Sequence, residues 1–96
     1  MVKQGDIIKI EGINFNKTVV VSKDTYNKTG TVVVCPVVSK DPDCTLKLRI
    51  SEDEYVICDN VKVMDLNVRR FNPVGRVSYP ELIRISDMIQ SIFDYY

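Results

Sequence analysis

The residues able to do chemistry in this 96-residue chain are few, and their spacing excludes several kinds of site. Three cysteines, Cys35, Cys44 and Cys58, are odd in number, lack CxxC spacing and have no histidine with which to complete a zinc site. They read as reduced thiols, with Cys35 and Cys58 set in apolar strand patterns as small core residues. Asp41, Asp43, Glu52 and Asp53 have no organised ligand spacing and read as solvated acidic loops, so neither a metal nor a cofactor is expected. The adjacent Arg69 and Arg70 carry the charge to meet phosphate oxygens, although exposed arginine pairs are common on surfaces. Polar residues also mark the two ends of one β-rich stretch: Asn16 and Lys17 at its entrance, and Ser39, after Val38, at its exit.

That stretch, residues 17–40, reads KTVVVSKDTYNKTGTVVVCPVVSK, and the rest of the chain is organised around it. Its runs at 18–21 and 31–34 are almost pure valine and threonine, whose branched side chains suit a pleated, buried strand. Between them, Asn27 and Gly30 can take the positive φ of a turn, and Asp24 can bond back to nearby backbone. Residues 5–11 predict a first strand with Ile8 and Ile10 on one face, followed by a short loop at 12–16. Pro36, lacking an amide donor, is expected to end regular pairing. Residues 45–50 alternate Leu46, Leu48 and Ile50 against Lys47 and Arg49, which predicts a half-buried antiparallel strand. Further strands are predicted at 55–58 and 61–64, then a loop at 69–74 broken at Asn72-Pro73, and a last short strand at 75–77.

The period then changes. Ser78 and Glu81 have the form of a capping box, and Pro80 fits a first helical turn. Leu82, Ile85, Met88, Ile89, Ile92 and Phe93 recur at helical spacing and predict an amphipathic terminal helix of about four turns. Strands followed by one helix predict a single α+β domain over residues 1–96, mostly β, with a curved antiparallel sheet. Open sheet edges need cover, and the apolar end formed by Phe93, Tyr95 and Tyr96 could supply it through a homodimer or by packing on its own sheet.

Formal net charge is zero, so no global field argues for a nucleic-acid or membrane partner. The charge is uneven: residues 1–40 carry six Lys/Arg against three Asp/Glu, and residues 41–65 carry three against seven. A locally basic face is therefore compatible with the sequence. No apolar stretch resembles a signal peptide or a membrane span, and a soluble, cytoplasmic protein with no membrane association is expected.

Taken together, GDII at the start, VVVSKDTYNKTGTVVVCPVVS, CDNVKVMD, a late GRV and the closing helix resemble the MazF/PemK/Kid family of type II toxin–antitoxin toxins. The family pattern runs roughly GDI(V/I)W, RPxLVVS, YNxxTG, VVxPITS, xxDQVRxID and a helix. The likeness covers nearly the whole chain in that order, with the YNKTG turn one residue shorter. It implies an SH3-like, partly open antiparallel barrel with a C-terminal α-helix. It further implies a homodimer, an antitoxin protein as partner, and metal-independent cleavage of single-stranded RNA. CcdB-type toxins share the fold and bind DNA gyrase instead, so fold alone does not choose the activity.

Metal-free RNA cleavage needs a base for the ribose 2′-hydroxyl, an acid for the leaving oxygen and cationic donors for the phosphorane. Matched without a gap, the family's arginine falls on Asn16, its proline on Lys17, and the threonine of PITS on Val38. A one-residue shift would make Lys17 and Ser39 the substitutes, although lysine lacks the planar fork of arginine and adjacent strand residues face opposite ways. Asp59 matches the aspartate of DQV, and Lys62 the basic residue after it. The resemblance thus nominates Lys17, Ser39 and Asp59 as catalytic, and Lys40, Lys62, Arg69 and Arg70 as RNA-binding. Each has a plainer alternative: Lys17 as a solvated residue at a strand entrance, Asp59 as a turn cap with Asn60, YNKTG as a tight connection. Two functions are therefore expected in competition: an RNA-cleaving toxin, and a catalytically degenerate member that acts by binding an antitoxin-type peptide or a gyrase-like target.

Overall fold

The computed structural model describes residues 2–93. In chain order these form β1 (Asp6–Ile10), β2 (Lys17–Val20), α1 (Asp24–Asn27), β3 (Thr31–Val38), β4 (Lys47–Ser51), β5 (Glu54–Ile57), β6 (Lys62–Asp65), β7 (Phe71–Arg76) and α2 (Tyr79–Ser91). The strands pair antiparallel in the order β4-β5-β3-β2-β1-β7, and β6 pairs with β3 beside β5. The result is a partly open, mostly antiparallel β fold closed by a C-terminal helix, as the sequence predicts.

Why the sheet is so apolar follows from its two buried faces. Ile7, Val19, Cys35, Val37 and Val56 pack with Ile85 of α2 in one cluster, while Ile8, Ile10, Val20, Val32 and Val34 form a second. Alternation sends neighbours such as Val19 and Val20 to opposite clusters, so a continuous valine run serves both. Fully burying each valine contributes about 1.5–3 kcal/mol relative to exposure. Helix α2 begins as its capping box requires: the Glu81 amide donates to Ser78 Oγ at 3.3 Å, and the Ser78 amide donates to Glu81 Oε1 at 2.8 Å. Leu82, Met88 and Ile89 join Ile85 against the first cluster. Ile92 and Phe93 are exposed, so the predicted apolar face ends a turn early. Tyr95 and Tyr96 lie outside the described residues. No helix among the described residues is long and apolar enough to cross a membrane.

Three local expectations need correction. Pro36 does not end β3, which runs on to Val38 with Pro36 opposite Thr18. The Val21 amide donates to the Val33 carbonyl at 2.8 Å, so alternation turns the nitrogen of Pro36 away from β2. There it falls between Val34, paired with β6, and Val37, paired with β5, where no partner asks for a donor. Likewise Asn72 and Pro73 do not interrupt β7, an edge strand whose register slips between Ile7 and Ile8 so that Val74 is bypassed. An edge tolerates a proline whose missing donor would face solvent.

The connection between β2 and β3 contains the short helix α1, and of its residues only Gly30 takes a positive φ, +86°. Asn27 is instead buried in helical conformation, its Nδ2 donating to the Ser22 carbonyl at 3.0 Å and its Oδ1 accepting from Ser22 Oγ. Asp24 reaches not its own turn but the Gln4 amide, 2.8 Å away.

Candidate functional site

The entrance of β2 and the exit of β3 lie side by side because Lys17 pairs with Val37. Continuing that register by one residue sets Asn16 beside Val38. β3 then hands on to β5, with Val37 opposite Val56 and Val38 opposite Tyr55. At this corner opens a cleft of about 570 Å³ lined by Asn16, Lys17, Val38, Ser39, Ser51, Asp53 and Glu54, with Asn14 and Phe15 from the loop before β2.

Lys17 and Glu54 meet inside it. Lys17 shares the face of Val37, its register partner, and Glu54, two residues before Val56, shares the same face. Across the intervening strand Lys17 Nζ donates to Glu54 Oε2 at 2.6 Å. Both side chains keep about a third of their surface open, 33% and 27%. Glu54 also accepts from Ser51 Oγ at 3.3 Å through its other oxygen, which fixes the carboxylate at the mouth of the β4–β5 hairpin. Glu54 is not among the residues that the sequence nominates; pairing of β5 with β3 is what brings it to Lys17, and nothing local in the sequence signals that non-local contact.

The remaining nominated residues separate. Asp59 is exposed in the turn after β5, five residues from Glu54 along the chain or about 16 Å of extended strand, and it does not line the cleft. Its charge acts on the thiols instead. Burial, reinforced by the Asp59 carboxylate, pushes Cys58 up to about 11, and burial with Cys58 and Asp59 pushes Cys35 up to about 12. Cys44, half-buried, is shifted in the same direction, first by desolvation and then by Asp59. Lys40 is exposed just beyond the cleft. Lys62 lies with its ammonium 5.8 Å from the centre of the Phe15 ring, against the loop rather than the Lys17–Glu54 pair. Arg69 and Arg70 are exposed and border a shallower groove with Glu11 and Gly12. Asp41, read as solvated, is engaged by Lys47, which also donates to the Pro42 carbonyl at 2.9 Å.

Residues 3–93 match the family described as PemK-like, MazF-like toxin of type II toxin-antitoxin system. The chain belongs to this family. Its structure is similar to the MazE-MazF complex (Form-III) from Deinococcus radiodurans at 20% identity and TM-score 0.82, covering 96% of this chain and 95% of that one. It is similar to an endoribonuclease in complex with its cognate antitoxin from a Mycobacterial species at 14% identity and TM-score 0.82, covering 97% and 95%. MazF (Form-I) from Deinococcus radiodurans aligns at 17% identity and TM-score 0.79 over 96% of each chain. No curated protein sequence matches the chain.

Membership in the MazF-like toxins gives the cleft its context. The two positions where the resemblance expects arginine and threonine are Asn16 and Val38, and both line this cleft. Their neighbours Lys17 and Ser39 line it too, so the polar groups displaced by one residue in sequence still reach the same space.

Proposed function

We propose that this MazF-like toxin is a metal-independent endoribonuclease acting on single-stranded RNA, with Glu54 and Lys17 as its acid–base pair. The observation that carries the reading is the 2.6 Å contact between Lys17 Nζ and Glu54 Oε2 within an open cleft at the family's chemical corner. Glu54 accepts the proton of a ribose 2′-hydroxyl, and the freed oxygen attacks the adjacent phosphorus. Lys17 stabilises the charge on the phosphorane and donates a proton to the departing 5′-oxygen. The products are a 2′,3′-cyclic phosphate and a 5′-hydroxyl end, and proton return from Glu54 to Lys17 restores the pair. Ser39 and Asn16 act as hydrogen-bond donors to the non-bridging oxygens, which compensates in part for the planar fork that a lysine lacks. Lys40, Lys62, Arg69 and Arg70 supply phosphate contacts along the surface. Asp59 has no step in this scheme.

Family membership and the antitoxin-bound structures among its structural neighbours support an antitoxin protein as partner. The reading takes a cytoplasmic homodimer as the working form. Digestion of single-stranded RNA in EDTA tests the activity directly. Cyclic phosphate ends, lost in Glu54→Gln, are expected.

A second reading has its own observation. The cleft sets one cation, Lys17, against two carboxylates, Asp53 and Glu54, and presents valine at position 38. A surface of that kind suits protein binding without catalysis. It predicts intact RNA after long incubation and recovery of a stoichiometric protein partner from lysate.

A further inference from the structure

The β4–β5 hairpin that carries Glu54 is irregular at one point. Its register sets Lys47 opposite Ile57, Leu48 opposite Val56 and Arg49 opposite Tyr55, then skips a residue and resumes with Ser51 opposite Glu54. Ile50 is the extra residue, a β-bulge on β4. In an unbroken ladder it would stand opposite Glu54; instead it packs against the first core cluster, and a hydroxyl takes that place. Ser51 Oγ donates to Glu54 Oε1 at 3.3 Å, the oxygen that Lys17 does not hold. Arg49 clasps the bulged turn from outside, its Nε donating to the Ser51 carbonyl at 3.0 Å and its Nη2 to the Glu52 carbonyl at 3.3 Å. We propose that Arg49 and Ser51 are positioning residues for Glu54: the guanidinium fixes the bulged turn, the turn sets the hydroxyl, and the hydroxyl aims the carboxylate into the cleft.

Glu54 has two holders, and they differ in what happens when substrate arrives. In the proposed reaction the phosphate draws the Lys17 ammonium towards the phosphorane, which loosens its contact with Glu54. Ser51 sits in the same hairpin as Glu54, so its bond survives that move. Bulges beside active sites commonly re-aim a side chain in this way. Arg49 acts from behind: alternation puts it on the face opposite Leu48, and it does not line the cleft. Its planar fork reaches two neighbouring carbonyls at once, a geometry that a lysine ammonium does not reproduce.

The proposal rests on the ribonuclease reading, and steady-state cleavage of a labelled single-stranded RNA oligonucleotide in EDTA tests the two separately. Ser51→Ala should lower kcat about three- to tenfold, the scale of one hydrogen bond, with KM unchanged, and Ser51→Thr should restore it. Arg49→Ala, an exposed change checked by thermal melting, should lower kcat by a similar factor, and Arg49→Lys should not restore it. Because the two residues act through one carboxylate, the double variant should fall no further than the deeper single variant. Parental kcat in Ser51→Ala, or losses that multiply in the double variant, overturns the proposal while loss of cleavage in Glu54→Gln keeps the ribonuclease reading standing. A raised KM with a salt slope lower by about 0.7 in Arg49→Ala makes that residue a phosphate contact and also overturns it. Intact RNA with the parent chain, or full cleavage by Glu54→Gln, overturns both.

Discussion

Lys17, the first residue of β2, and Glu54, the first of β5, join at 2.6 Å across the width of β3 although 37 positions separate them in the chain. The ladder that sets Lys17 opposite Val37 and Val37 opposite Val56 leaves the two side chains on one face, at the end of the sheet where pairing stops. Rigid strands hold both partners, and the pair opens onto a cleft instead of the core. A cation and a carboxylate so placed are available to a substrate.

A pair that serves chemistry need not serve stability. With about a third of each side chain exposed, the contact should contribute under about 1 kcal/mol. A double-mutant cycle with Lys17→Ala and Glu54→Ala, read by urea unfolding, should return a coupling in that range. Coupling of several kcal/mol would mark the pair as a structural brace and weaken its assignment to catalysis.

Thiol reactivity should follow burial. Cys35 and Cys58 are fully buried with pKa values pushed up to about 12 and about 11, whereas Cys44 is partly open. A thiol reagent at neutral pH should modify Cys44 first and the other two only after unfolding. The raised values also set a pH dependence. In the folded state the two thiols hold their protons above the ordinary 9.0, so the unfolded chain binds fewer protons between about 9 and 12. Their contribution is full below about 9 and is lost as pH rises through that window. Unfolding titrations should show less alkaline loss in Cys35→Ala than in the parent, relative to each protein's stability at pH 7; an equal loss would contradict the buried-thiol assignment.

How much of this was legible in the sequence varies by element. The valine strands were readable because burial on both faces demands β-branched runs, and α2 because its capping box and spacing are local signals. Pro36 and Pro73 misled, since whether a missing donor matters depends on which neighbour faces it, a property of the assembled sheet. Asn27 misled because its own burial, with Ser22 as hydrogen-bond partner, rewards a helical turn over a tight one. At the site, family matching reached Asn16, Lys17, Val38 and Ser39, all of which line one cleft. Glu54 lines the same cleft without having been nominated, and Asp59 lies outside it, because contacts across β3 and β5 are not written in local spacing.

Gly30 offers a separate test of the turn. It has φ +86°, and an added Cβ would collide with the side-chain amide of Asn67, whose Nδ2 donates to the Thr29 carbonyl at 3.1 Å. Gly30→Ala should destabilise by more than about 1 kcal/mol. Adding Asn67→Ala should remove the clash yet leave the backbone strain, so thermal melting should show partial recovery. Full recovery would mean that the positive φ costs nothing.

The most direct measurement is incubation of single-stranded RNA with antitoxin-free protein in EDTA, comparing the parent with Lys17→Ala and Glu54→Gln. Cleavage by the parent, 2′,3′-cyclic phosphate ends and a fall of about a hundredfold or more in each variant are predicted. Intact RNA with the parent, or undiminished cleavage by Glu54→Gln, would contradict the assignment of chemistry to this pair.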